Sequence, residues 1–146
     1  MPIAPFMVPF SKAALKDLRD RLHRTRWPEA TREVAWTSGV DRTFLMDICE
    51  YWRDYFDWEN QTRRLSALHH YRYRSGAGTI HFLYERGRGL KPIPLILTHG
   101  WPGSYLEMLK ILPHLTDPES QGHDPADSFD VVVPSLPGFG YSSKPE

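Results

Sequence analysis

Cysteine is almost missing from this sequence of 146 residues: Cys49 stands alone, which excludes an internal disulfide framework and a cysteine-rich zinc site. Net charge is missing as well. Eighteen Lys and Arg balance eighteen Asp and Glu, so no whole-molecule field draws the chain to nucleic acid or anionic lipid, and no nucleic-acid partner is expected. No apolar run approaches the ~18 residues that span a bilayer, so no transmembrane segment is expected. The stretch from Met1 to Phe10 lacks a basic start and is broken by Pro2, Pro5 and Pro9, which argues against a signal peptide. A cytoplasmic protein is the expectation. What is plentiful is proline and aromatic surface, with 13 Pro, five Trp, seven Tyr and seven Phe. That composition predicts heavy, loop-rich packing.

The first ten residues cannot be regular helix, because each proline removes a donor and restrains its predecessor; they read as an extended arm. Ser11 is a good N-cap, Phe10 is placed to staple onto the first turn, and Leu15, Leu18 and Leu22 recur at helical spacing as far as Trp27, where Pro28 stops the helix. Its other face (Lys16, Asp17, Arg19, Asp20, Arg24) reads as solvated. After a loop through Trp36 and Gly39, Asp41 or Thr43 caps a second helix. Its Phe44, Ile48, Tyr51, Trp52, Tyr55 and Phe56 follow the 3.6-residue period, and this stripe is expected in a core, with Cys49 beside it as an inert buried thiol. Trp58 closes that helix, and Glu59 to Leu68 predict a short third one with Leu65 and Leu68 inward.

The period then changes to two. Tyr71 to Arg74 alternate, Gly76-Ala77-Gly78 makes a turn, and Thr79 to Glu85 places Ile80, Phe82 and Tyr84 on one face, which predicts an antiparallel hairpin. Ile93 to Thr98 is a continuous apolar run of the kind found in strands buried on both faces. His99-Gly100-Trp101-Pro102-Gly103 breaks it, and Ser104 caps a helix expected to carry Leu106, Leu109, Leu112 and Leu115. A polar loop from Thr116 to Asp127 leads to Phe129–Pro134, whose Val131, Val132 and Val133 predict another buried strand. The turn from Pro137 to Ser142 is expected to be mobile. Helices first, then hairpin, strand, helix and strand, predict an α/β chain whose second half is the start of an incomplete, mainly parallel sheet. The boundary is expected near His69, between a domain at 1–68 and one at 69–146.

Leu95 to Ser104 is a strand running through a glycine-proline turn toward a helix. In open α/β sheets ligands bind at the carboxyl ends of strands, so the turn is either an anion hole or a plain connection. The block HGWPGS at 99–104, with PSLPGFGYS at 134–142, resembles the oxyanion-loop and post-strand signature of α/β-hydrolases, and of epoxide hydrolases in particular. LRDRLHRTRWP at 18–28, with Tyr51-Trp52 and Phe56-Asp57-Trp58, resembles the N-terminal meander domain of microsomal-type and juvenile-hormone epoxide hydrolases. The resemblance covers essentially the whole chain.

It implies hydrolysis of epoxides to vicinal diols through an alkyl-enzyme ester, with no cofactor and a small apolar epoxide as the substrate. Trp101 would donate its backbone N–H to the oxyanion hole, and His99, Gly100, Pro102 and Gly103 would shape the loop. The Trp101–Pro102 peptide is often cis in the family, and the Trp101 indole would line the pocket beside the nucleophile. Phe139 and Tyr141 would flank the pocket, although plain packing is the simpler role for both. The aspartate nucleophile, the base histidine, its acid partner and the cap tyrosines of the family all belong downstream of the matched region. No G-x-[SD]-x-G elbow occurs in the sequence: the runs from Gly39 and from Gly140 both lack the closing glycine. The isolated chain is therefore expected to be inactive, as the N-terminal portion of such an enzyme.

Other segments carry residues with chemistry of their own. Arg63, Arg64, His69, His70, Tyr71, Arg72, Tyr73 and Arg74 form a basic, aromatic segment suited to single-stranded nucleic acid, but zero net charge and strict alternation favour a strand with a charged outer face. His69 and His70, being adjacent on a strand, point to opposite faces, so with His81 they do not predict a metal site. Gly138-Phe139-Gly140 lacks the helix and third glycine of a dinucleotide fingerprint. In the hydrolase strand order, Ile93–Thr98 would keep one unpaired apolar edge, a predicted site of association. The alternative function is thus a noncatalytic remnant or binding module that meets itself or a complementing chain through that edge.

Overall fold

The computed structural model describes residues 2–29, 36–37, 39–76 and 78–145, which fall into two compact units, Pro9–Thr62 and Met1–Val8 with Arg63–Glu146. Ala77, in the expected hairpin turn, lies outside the described residues.

In the unit Pro9–Thr62, capping starts the helices where the sequence places the caps. The Ser11 hydroxyl accepts from the Ala14 N–H at 3.2 Å to open α1, Lys12–His23, and the Asp41 carboxylate accepts from the Phe44 N–H at 2.9 Å to open α2, Arg42–Asp54. Each cap satisfies an amide that the first turn leaves without a partner. α1 ends at His23 rather than near Trp27, because the Thr25 N–H turns back to the Leu22 carbonyl at 3.2 Å and tightens the last turn. α3, Trp58–Ser66, begins in this unit and ends in the other. The aromatic stripe of α2 is not a core. None of the three helices contains a buried residue, and Tyr51 and Tyr55 are 54% and 70% exposed. The rings pair locally instead, Trp36 with Phe44 at 5.0 Å and Phe56 with Trp58 at 4.8 Å between centroids. Three short helices hold too little chain to enclose so wide a stripe. Cys49 is half-buried rather than buried.

The other unit is a mixed five-stranded sheet in the order β1-β2-β3-β5-β4, formed by Ile3–Pro5, His70–Ser75, Gly78–Glu85, Phe129–Pro134 and Ile93–Ile96 for β1, β2, β3, β5 and β4. The proline-rich arm supplies β1, antiparallel to β2 with Ala4 opposite Arg72. Proline suits such an edge position, where its missing donor is not needed. β2 and β3 form the expected hairpin, with Ser75 opposite Gly78. The half-buried side of β3 carries Ile80, Phe82 and Tyr84, while its fully buried side carries His81 and Leu83. β5 runs antiparallel to β3, with Val133 opposite Leu83, and parallel to β4, with Val131 opposite Leu95. Leu83, Val131 and Val133 are wholly buried, and Tyr105 and Leu112 complete the core.

Three expectations fail here for physical reasons. The sheet is not mainly parallel: among the described strands only β4 and β5 pair parallel, because the hairpin and the arm join β5 through antiparallel neighbours. β4 is not buried on both faces: it is a four-residue edge strand with Ile93 and Ile96 53% and 66% exposed. Its Ile93 and Leu97 N–H groups donate to Ser128 and Val132 of the β5 segment at 3.0 and 2.9 Å. By alternation the outer edge falls to Pro94 and Ile96, and Pro94 has no donor to offer. The helix expected from Ser104 to Leu115 is broken into a 3-10 turn, Tyr105–Met108, and the short α4, Leu112–Thr116. Pro113 cannot donate to the Leu109 carbonyl and its ring would clash there, so the helix restarts with proline in its first turn.

The Leu83→Ala substitution should lower the unfolding free energy by ~2–5 kcal/mol in urea titration. Leu90→Ala, at a fully exposed site, should stay within ~0.5 kcal/mol; equal effects at the two sites would contradict this core.

Candidate functional site

β4 and β5 are parallel neighbours, so their carboxyl ends open at the same edge of the sheet, the position at which α/β folds place ligands. The segment leaving β4 carries His99–Ser104 and the one leaving β5 carries Ser135–Tyr141. The Trp101–Pro102 peptide is cis. The loop is closed by the Gly103 N–H, which donates to the Gly100 carbonyl at 2.8 Å, and by the Ser104 hydroxyl, which accepts from Leu106 at 3.3 Å. Trp101 stands at the tip, 85% exposed. Among the described residues its N–H has no hydrogen-bond acceptor. Because only a four-residue 3-10 turn follows, no helix dipole supports an anion hole at this loop.

His99 ties the two exits together. It is buried, and its Nε2 accepts from the Leu136 N–H at 3.1 Å. With Nε2 an acceptor, the ring proton sits on Nδ1, 3.2 Å from the Gly100 carbonyl that it donates to. Phe139 packs edge-on against the imidazole, with centroids 5.2 Å apart. One side chain therefore sets the spacing of both loops.

The segment expected to be mobile is instead pinned along β3. The Ser142 hydroxyl donates to the Ser135 carbonyl at 2.7 Å and accepts from the His81 N–H at 2.9 Å. The Ser143 N–H donates to the Thr79 carbonyl at 2.8 Å, while its hydroxyl accepts from the Thr79 N–H at 2.9 Å. Gly140 takes φ +50°, and a Cβ there would lie 2.6 Å from the Ser135 hydroxyl. The glycine permits both the left-handed bend and the close approach. Tyr141 packs inward against Phe6 and His81, each at 5.1 Å, and near Tyr105. Burial, and then Tyr141, push the Tyr105 phenol well above its ordinary value.

His70, His81 and Ser135 were not singled out together by the sequence, yet the fold joins them. His69 faces outward to Glu85 at 2.9 Å, whereas His70 and His81 are buried and bonded to each other at 2.9 Å. The signal was the hairpin register: Arg72 lies opposite His81, so His70, two residues earlier on β2, shares its face. Burial holds the His70 imidazole below its ordinary value, and burial followed by the nearby His70 and Arg72 brings His81 down to about 4. Among the described residues no group of three or more His, Cys, Asp or Glu is placed to hold a metal ion.

The family model described as "Epoxide hydrolase N terminus" matches residues 3–108, and that described as "alpha/beta hydrolase fold" matches 93–146. The chain belongs to the epoxide hydrolase N-terminus family. The two matches overlap on the segment that holds the His99–Ser104 loop. A protein of Stigmatella aurantiaca, provisionally named as an epoxide hydrolase, is 44% identical over 98% of this chain and 32% of its own length. Epoxide hydrolase 1 of Oryctolagus cuniculus is 37% identical over 96% of this chain and 32% of its own. The solved structure of Aspergillus niger epoxide hydrolase superposes with a TM-score of 0.84 at 29% identity, covering 100% of this chain and 38% of that one. The juvenile hormone epoxide hydrolase of Bombyx mori gives the same TM-score of 0.84 over 98% of this chain and 34% of that one. The chain thus spans about one third of the length of the curated relatives it matches.

Replacing His99 by Leu should leave the Leu136 N–H without its acceptor, at a loss of ~1–3 kcal/mol of stability, and accelerate hydrogen exchange at that amide. Unchanged exchange at Leu136 would show that His99 does not hold the two exits.

Proposed function

We propose that this chain supplies the oxyanion loop of an epoxide hydrolase that converts small apolar epoxides to vicinal diols. The observation that carries the reading is the Trp101 N–H, unpaired at the tip of a loop that His99 braces, in a chain of this family. In the reaction, a carboxylate attacks an epoxide carbon, the ring C–O bond breaks and its oxygen takes up a proton, leaving an ester. Water then adds to the ester carbonyl, and the negative charge that develops on the carbonyl oxygen is where the Trp101 N–H donates. Collapse releases the diol and restores the carboxylate. His99, Gly100, Pro102 and Gly103 shape the loop, and Phe139 flanks the pocket, while Tyr141, packed inward against Phe6 and His81, supports the segment from within. The nucleophile, base and acid are to come from outside the G-x-[SD]-x-G-free sequence described above, so the chain alone is inactive. No cofactor enters this scheme. A cytoplasmic setting belongs to the reading, supported by the near absence of cysteine; among the described residues no helix is long and apolar enough to cross a membrane.

The test is a chimera in which this chain replaces the matching third of the Stigmatella aurantiaca relative. Turnover of a small aryl epoxide should be retained, and Trp101→Pro should lower kcat by ~10²–10³-fold through loss of the donor. Trp101→Ala keeps the N–H and should stay within about tenfold. A folded chimera without turnover, or equal losses in the two variants, would refute the assignment.

A second reading, association through the free edge of β4, draws on the exposure of Ile93 and Ile96. It predicts a concentration-dependent mass in sedimentation that Ile96→Lys abolishes. A constant monomer mass would remove it.

A further inference from the structure

β5 ends at Pro134 and hands the chain to two consecutive residues, each held by a buried imidazole. His81 Nδ1 lies 2.8 Å from the Ser135 hydroxyl, and His99 Nε2 takes the Leu136 N–H at 3.1 Å. Behind His81, its Nε2 is 2.9 Å from His70 Nδ1, and His70 Nε2 is 2.8 Å from the Leu65 carbonyl. Only one assignment of protons satisfies all of these with both rings neutral. A carbonyl only accepts, so His70 Nε2 carries a proton and its Nδ1 accepts from His81 Nε2–H. His81 Nδ1 is then bare and accepts from the Ser135 hydroxyl. The same hydroxyl sits against Gly140, and the His81 backbone binds both ends of the segment: its N–H donates to Ser142 Oγ and its carbonyl accepts from the Ser135 N–H at 2.8 Å.

We infer that His81, backed by His70, is a pH-sensitive positioning residue for the oxyanion loop: neutral, it holds Ser135 and so aims the Leu136 N–H at His99, and on protonation it releases both. The role assigned to the loop rests on the function proposed above; the clamp itself does not. A proton added at His81 Nδ1 takes away the acceptor of the Ser135 hydroxyl and places a charge at a fully buried ring. The groups around it do not offset that charge. Arg72, opposite on β2, repels it, and His70 shares its bond. Tyr105 from the 3-10 turn, Tyr141 from the post-β5 segment and Phe6 from the arm present ring faces and edges. Glu85 on β3 acts on His70 and spends its bond on His69.

The direction follows from linkage. A released imidazole binds a proton near its ordinary 6.5, while the clamped His81 resists until about 4. Between these values the released state binds more protons, so the clamp is at full strength above about 6.5 and weakens as the pH falls toward 4.

Amide exchange on the full chain, read as protection factors at pH 7 and pH 5, tests this. Protection at Leu136 and Ser142 should fall about tenfold or more, while that of Leu83 in the core changes less than threefold. His81→Gln removes the titration and should flatten the Leu136 response to under threefold. No fall at Leu136, an equal fall at Leu83, or the same fall in His81→Gln would each overturn the inference. If circular dichroism shows the variant unfolded, the His81 ring resonances of the unaltered chain decide: their midpoint must lie well below 6.5 while Leu136 protection already falls from 6.5 downward, and a ring midpoint at 6.5 overturns it. No epoxide is used, so a failed chimera and a failed clamp are independent results.

Discussion

The double pairing of β5 is the constraint on which the rest depends. It runs parallel to β4 and antiparallel to β3, and its alternation turns Val131 and Val133 into the core against Leu83. A shift of one residue would turn both valines to the opposite face. The register is therefore held by burial, and it delivers two things to one edge of the sheet: the end of β4 with its cis peptide loop, and the end of β5 with Ser135 and Leu136. Neither segment has regular structure of its own, so their geometry is inherited from the strands that launch them.

What joins the two exits is polar and buried. His99 spans from Leu136 to Gly100, and His81 reaches Ser135 from the neighbouring strand. Buried polar groups must find partners or forfeit their hydration, and here each imidazole nitrogen has one. The arrangement gives the loop tip a defined position without a helix behind it, and leaves the exposed Trp101 N–H without an acceptor among the described residues.

Some of this was legible in local sequence. Ser11 and Asp41 cap helices where expected, because a cap needs only a side-chain oxygen within three residues of an unpaired amide. The hairpin, the valine strand and the HGWPGS loop are also short-range patterns. The aromatic stripe of α2 misled because periodicity reports a face, not what covers it. β4 misled in the same way: its apolar run marks a strand able to be buried, yet the sheet order leaves it at an edge. Pro113 was visible, and its effect on Leu109 follows from covalent geometry, so the broken helix was within reach of the sequence. Cys49 took its expected burial from the stripe, and lost it with the stripe.

The sequence by itself determined the family, the α/β class, the caps, the hairpin and the loop motif, since these depend on residues close together in the chain. Only the tertiary structure decided that β1 joins the sheet, that β4 lies exposed along its faces, and that His81 and His99 grip neighbouring residues 54 and 37 positions away. Contacts at such separations are fixed by strand order and register. Those are settled by which faces can be buried together, and no local pattern encodes that choice.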